Sequence, residues 1–83
     1  MKFIKGMHTY KNEYGYYRIK YSKLYIWEIP KNLEKENISQ GDIVLAICKN
    51  SVAPIMVLSV FESNDEKIKH KKVIKILDKM IKN

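Results

Sequence analysis

A stretch of 83 residues, 46% hydrophobic and 30% charged, has room for one folded domain, and its composition argues against a disordered chain. Lys and Arg number 16 against 9 Asp and Glu, and the formal charge of +7 favours polyanionic or acidic partners over basic ones. The lone cysteine, Cys48, excludes an internal disulfide, and no apolar run approaches the roughly 18 residues that a membrane-spanning helix requires.

The N-terminal MKFIKGMHTY lacks the continuous apolar region of a secretory signal, so a cytoplasmic protein with no membrane association is the expectation. Phe3 and Ile4 suit a sheet edge, with Gly6 ending that short strand. From Tyr10 to Ile29 the chain is rich in aromatics. Tyr17, Ile19 and Tyr21 alternate with Arg18 and Lys20, the period of a strand with one buried and one wet face. Gly15 marks a bulge in that run. Ser22-Lys23 predicts a turn into a second strand, residues 24 to 29, in which Tyr25, Trp27 and Ile29 form the core face. Pro30 cannot continue a ladder and stops it.

Residues 30 to 42 are polar apart from Leu33 and Ile38; Leu33 to Glu36 predicts one helical turn whose leucine caps an open end of the sheet. Gly41 precedes the next strand, where a positive φ costs glycine nothing. Two apolar runs follow, Ile43 to Cys48 and Val52 to Phe61, joined by Lys49-Asn50-Ser51. Their brevity, their Ile, Val and Leu content and the polar triplet between them predict a buried antiparallel hairpin. Alternation is lost in both runs, so the expectation is that both hairpin faces are covered. Pro54 marks an edge or a bulge.

Residues 63 to 69 form a charged connection; in the ending, the helical spacing of Val73, Leu77, Met80 and Ile81 competes with the β-branched run Val73 to Leu77, and the expectation is a last strand at about residues 72 to 77 followed by a short helical tail. Residues 1–83 then make a single domain of the mainly β class: a small curved antiparallel barrel of the SH3-like or OB-like type with about five strands.

Two clusters carry functional promise. Tyr10, Lys11, Tyr14, Tyr16, Arg18 and Lys20 interleave rings with cations, the combination that stacks bases and holds phosphates on single-strand-binding sheets. Tyr17, Tyr21, Tyr25 and Trp27 are instead expected in the core, with their polar ends at its rim. Lys69, Lys71, Lys72 and Lys75, beside His70, form a basic run suited to a phosphate backbone or to solvent alone. His8, His70 and Cys48 have no zinc-type spacing, and neither a phosphate loop nor a nucleophile motif is present. The expectation is a non-enzymatic protein with no metal and no cofactor.

Residues Tyr25-Ile26-Trp27-Glu28-Ile29-Pro30, Leu33, Gly41-Asp42-Ile43-Val44 and Val57-Leu58-Ser59-Val60 resemble the N-terminal DNA-binding barrel of the primosomal replication-restart helicase. The strand ending in Ile-Pro, the Gly-Asp lead into the next strand and the closing Val73 to Leu77 also resemble a small uncharacterised family of phage and mobile-element proteins of Gram-positive bacteria. The likeness spans about residues 14 to 77, and Lys49-Asn50-Ser51 replaces the glycine-rich loop of the helicase barrel. It implies a DNA-binding barrel. Two functions are therefore expected in turn. One is nucleic-acid binding through the Tyr and Lys surface. The other is protein interaction, such as a phage-encoded inhibitor of a host defence nuclease of the anti-CRISPR type, or homodimerisation through the apolar hairpin.

Overall fold

A computed structural model describes residues 1–20, 23–64 and 70–80. Along the chain the elements are β1 (Lys2–Lys11), β2 (Tyr17–Ile19), β3 (Tyr25–Ile29), the single-turn helix α1 (Lys31–Glu34), β4 (Ile43–Ile47), β5 (Val52–Glu62) and β6 (Val73–Asp78). All six strands join one antiparallel sheet.

The sheet is built on β1, which has a neighbour on each edge. β5 pairs with it from Lys2↔Glu62 to His8↔Ile55, while on its other edge β3 pairs with Lys2 to Gly6 and β2 with Thr9 to Lys11. The sequence places this segment at an edge and ends it at Gly6; the structure overturns both points. Gly6 is instead where β1 and β5 come closest. A Cβ there would lie 2.6 Å from the Met56 carbonyl oxygen and 2.6 Å from Ile55 Cγ2. At the same place the register slips, Lys5↔Ser59 being followed by Gly6↔Val57, so Leu58 is the extra residue of a bulge.

β2 and β3 both run antiparallel to β1 along one edge, so the chain does not reverse between them as the sequence predicts at Ser22-Lys23. Three steps on β1, Thr9 to Gly6, face six on the other side, Ile19 to Tyr25, and Ser22 of the predicted turn lies outside the described residues. The reversal lies earlier, at Asn12 to Tyr16, and Gly15 with φ 85° sits in that turn rather than in a bulge.

The β4–β5 hairpin forms as its composition predicts, closed by the Cys48 N–H donating to the Ser51 carbonyl at 2.7 Å. Val44, Ala46, Ile55 and Val57 are wholly buried and pack with Ile4, Trp27, Ile29, Ile38 and Val73 in one core. Burial of so many aliphatic side chains, at about 1.5–3 kcal/mol each, drives the fold. The helical turn runs Lys31–Glu34 rather than Leu33 to Glu36, Leu33 packs against this core, and Pro30 ends β3. Pro54 stands one residue past the last β1–β5 pair, where Thr9 Oγ1 donates to its carbonyl at 3.0 Å.

The inner face of the hairpin is the better covered one: Val44, Ala46, Ile55 and Val57 are buried there and Ala53 is half-buried. On the outer face Ile43 is buried and Leu45 and Met56 are half-buried, while Ile47 and Val52 at its tip are 40% and 48% exposed. The expectation that both faces are covered fails, because no layer lies over the outside among the described residues.

The sheet curls until β3 and β6 meet at one parallel bridge, Glu28↔Lys72, where the Glu28 N–H donates to the Lys71 carbonyl at 2.8 Å. It does not close into a continuous barrel. β6 is the strand predicted at the C-terminus; Lys79 and Met80 are irregular rather than helical, and residues 81–83 lie outside the described residues. Lys79 and Met80 are anchored on buried Asp42, whose carboxylate accepts from Lys79 Nζ at 2.8 Å, from the Met80 N–H at 2.9 Å and from the Ser39 N–H at 2.9 Å. Met80 also lies against Gly41, at φ 94°, and leaves no room there for a Cβ.

Candidate nucleic-acid interface

Six of the ten residues singled out from the sequence come together on the β1–β2 hairpin. Its turn is local chemistry: Asn12 Oδ1 accepts from the Tyr14 N–H at 3.0 Å and from the Tyr16 N–H at 2.9 Å. The turn is closed by Asn12 N–H to Tyr16 carbonyl at 2.8 Å, with Gly15 supplying the positive φ. This geometry turns rings outward instead of burying them. Tyr10 is 52% exposed, Tyr14 77% and Tyr16 70%. Lys11, Arg18 and Lys20 on the same stretch of chain are exposed too. Lys11 Nζ sits 5.5 Å from the centre of the Tyr17 ring, a cation–π contact that leaves Tyr17 half-buried. Tyr10 and Arg18 are directly paired, so a ring and a guanidinium share one face of the ribbon.

The described lysines of the basic run lie on segments other than that hairpin. Lys69 lies outside the described residues, as does Tyr21. Lys72 forms the closing bridge with Glu28, and Lys75 of β6 pairs with Leu45 of β4. Lys71 alone meets an aromatic cluster, whose Tyr25 and Trp27 the sequence places in the core.

This second feature is a groove of about 530 Å³ where the free edge of β3 parts from the lead into β6. Its wall is three rings: His8 stands edge-on to Tyr25 at 5.5 Å and to Trp27 at 5.9 Å, and Tyr25 is 5.9 Å from Trp27. Trp27 is buried, its Nε1–H donating to the Ile47 carbonyl at 2.9 Å, whereas Tyr25 is 44% exposed and not the core residue its alternation suggests. Lys49, His70 and Lys71 complete the lining. Burial pushes the Cys48 thiol in this groove up, against the pull of the Lys71 charge, so it stays a neutral thiol. His8 and Tyr10 stand two residues apart on β1 and fall on one face, so the groove's rings lead toward the hairpin's.

The groove draws on four separate segments: β1, β3, the β4–β5 turn and residues 70 to 71. No local pattern announces it; the one sequence signal is the pair Tyr25 and Trp27 at strand alternation beside a net positive charge. What the two features offer chemically is exposed aromatic surface with basic side chains on the same segments, and no carboxylate lines the groove among the described residues.

Among known families, the model described as "Family of unknown function (DUF5839)" matches residues 1–79, and the chain belongs to that family. No curated protein and no solved structure matches the chain.

Proposed function

We propose that this member of the DUF5839 family is a non-enzymatic module that binds nucleic acid through its Tyr- and Lys-rich surface. One observation carries the reading: three tyrosine rings between half and four-fifths exposed stand among Lys11, Arg18 and Lys20 on a single hairpin. Exposing such rings forfeits burial, and stacking on bases is a use that recovers it. The net charge of +7 supplies the long-range attraction to phosphates. The curled sheet is read as a small barrel of the SH3-like or OB-like kind, in keeping with the resemblance to the helicase barrel.

The test is direct. Replacing Tyr10, Tyr14 and Tyr16, all exposed, together by Ala lowers affinity for a fluorescent single-stranded oligonucleotide on the order of a hundredfold if two rings stack. Unchanged affinity overturns the reading.

A second reading has its own observation. Outside the hairpin, Met56, Leu58 and Met80 line an apolar cleft of about 350 Å³. That cleft suits a protein partner or a second copy, as in a phage-encoded inhibitor. Salt-tolerant association, or a stable dimer on gel filtration, favours this alternative.

A further inference from the structure

We infer that the groove between β3 and the lead into β6 receives one unstacked base, so that the protein selects single-stranded over duplex nucleic acid. The inference rests on the nucleic-acid reading above and gives it a strand preference.

Three features of the groove point to a nucleotide. Its volume, about 530 Å³, falls within the roughly 300–1,000 Å³ of small-ligand pockets and accommodates a base with its sugar. Its wall is aromatic and pre-set: the Trp27 ring is held by the hydrogen bond to Ile47, His8 packs edge-on against it, and Tyr25 presents a half-open ring to an incoming flat group. Its charged lining is wholly basic, with exposed Lys49 and Lys71 where the phosphates of an inserted nucleotide emerge. A flat apolar group with an attached anion complements that combination, whereas a purely apolar ligand leaves the cations unused.

The backbone adds a fourth feature. Glu28 directs its N–H away from β1, toward Lys71, and alternation makes Ile26 direct its N–H and carbonyl to the same side. Among the described residues no strand lies along Ile26 there, and Ile26 lines the groove. A donor and an acceptor thus face the edge of an inserted base. A base within a duplex cannot reach this site unless it leaves the stack, which costs a few kcal/mol that a single strand does not spend.

Trp27 is the only tryptophan, so its emission reports on the groove alone. The experiment titrates the full chain with an oligonucleotide of roughly 16 nucleotides, single-stranded or annealed to its complement. The expected results are quenching of Trp27 by the single strand, affinity for it on the order of tenfold above the duplex, and loss of that margin in Tyr25→Ala with duplex affinity retained. Lys71→Gln, at an exposed position, narrows the same margin and provides the readout if Tyr25→Ala does not fold. Equal affinities, unchanged emission and a silent Tyr25→Ala overturn the groove assignment. Salt-sensitive binding that persists in that case leaves the hairpin reading standing, while no binding of either oligonucleotide overturns both. A groove that instead seats an extended peptide along Ile26 shows no response of Trp27 to oligonucleotide, which also overturns the inference.

Discussion

Substituting Gly6 by Ala tests whether β1 is the central strand of the sheet. The new Cβ stands 2.6 Å from a backbone oxygen, Met56 O, and 2.6 Å from Ile55 Cγ2. Neither neighbour moves freely: Ile55 is fully buried, and Met56 is held between β1 and β4. β1 and β5 must therefore separate by several tenths of an ångström at the bulge. Overpacking of this kind costs about 1–3 kcal/mol, offset by at most about 1 kcal/mol from the lower backbone entropy of Ala in the unfolded chain. A net loss of about 1–2 kcal/mol lowers the Tm of a domain this size by roughly 5–15 °C. Thermal melts followed by far-UV circular dichroism read it directly. Gly15→Ala is the control, since its Cβ meets only Lys11 Cε at 3.9 Å and its cost is confined to the positive φ. Because Gly6 also pairs with Tyr25, the same substitution displaces one wall of the groove. A Gly6→Ala protein that melts at or above the wild-type temperature would refute the close β1–β5 approach.

Two further outcomes follow from buried groups. Val57→Asp places a carboxyl at a fully buried core position with no partner, costing about 3–5 kcal/mol, much of a small domain's stability; urea unfolding should show a collapsed midpoint, and a wild-type midpoint would mean that position 57 faces water. Burial opposes ionisation of Asp42, but Lys79 and the N–H groups of Met80 and Ser39 outweigh it and hold its carboxyl below the ordinary value. A lowered native pKa means stability that is fully present above the unfolded value of about 3.9 and is lost as pH falls through the native one. Asp42→Asn should therefore lose stability at neutral pH and show a shallower decline into acid than the wild type, measured by urea midpoints across that range; parallel pH profiles would contradict the role given to Asp42.

What is local in this fold is legible in the sequence. The β4–β5 hairpin announces itself because its apolar runs and polar turn are contiguous, and the ends of β3 at Pro30 and of the positive-φ loop at Gly41 follow from single residues. β1 escapes such a reading because Lys2, Lys5, His8 and Lys11 punctuate it, and its burial comes from partners some 20 to 60 residues away. Loss of alternation in the hairpin suggests two covered faces, yet the outer face is only partly shielded, since the pattern records side-chain type and not what lies over it. The candidate site divides the same way. The six hairpin residues lie between Tyr10 and Lys20 and come together; Lys71 and Lys72 belong to the approach to β6 and Lys75 to β6 itself, while Lys69 lies outside the described residues. The groove, assembled from four distant segments, has no local signature.

The salt dependence of oligonucleotide binding tests the central claim most directly. Plotting log K against log salt for a single strand should give a steep negative slope, and replacing Lys11, Arg18 and Lys20 together by Gln should flatten it by about 2, at about 0.7 for each phosphate no longer neutralised. A slope near zero in the wild type, or one that the triple substitution leaves unchanged, would contradict the account.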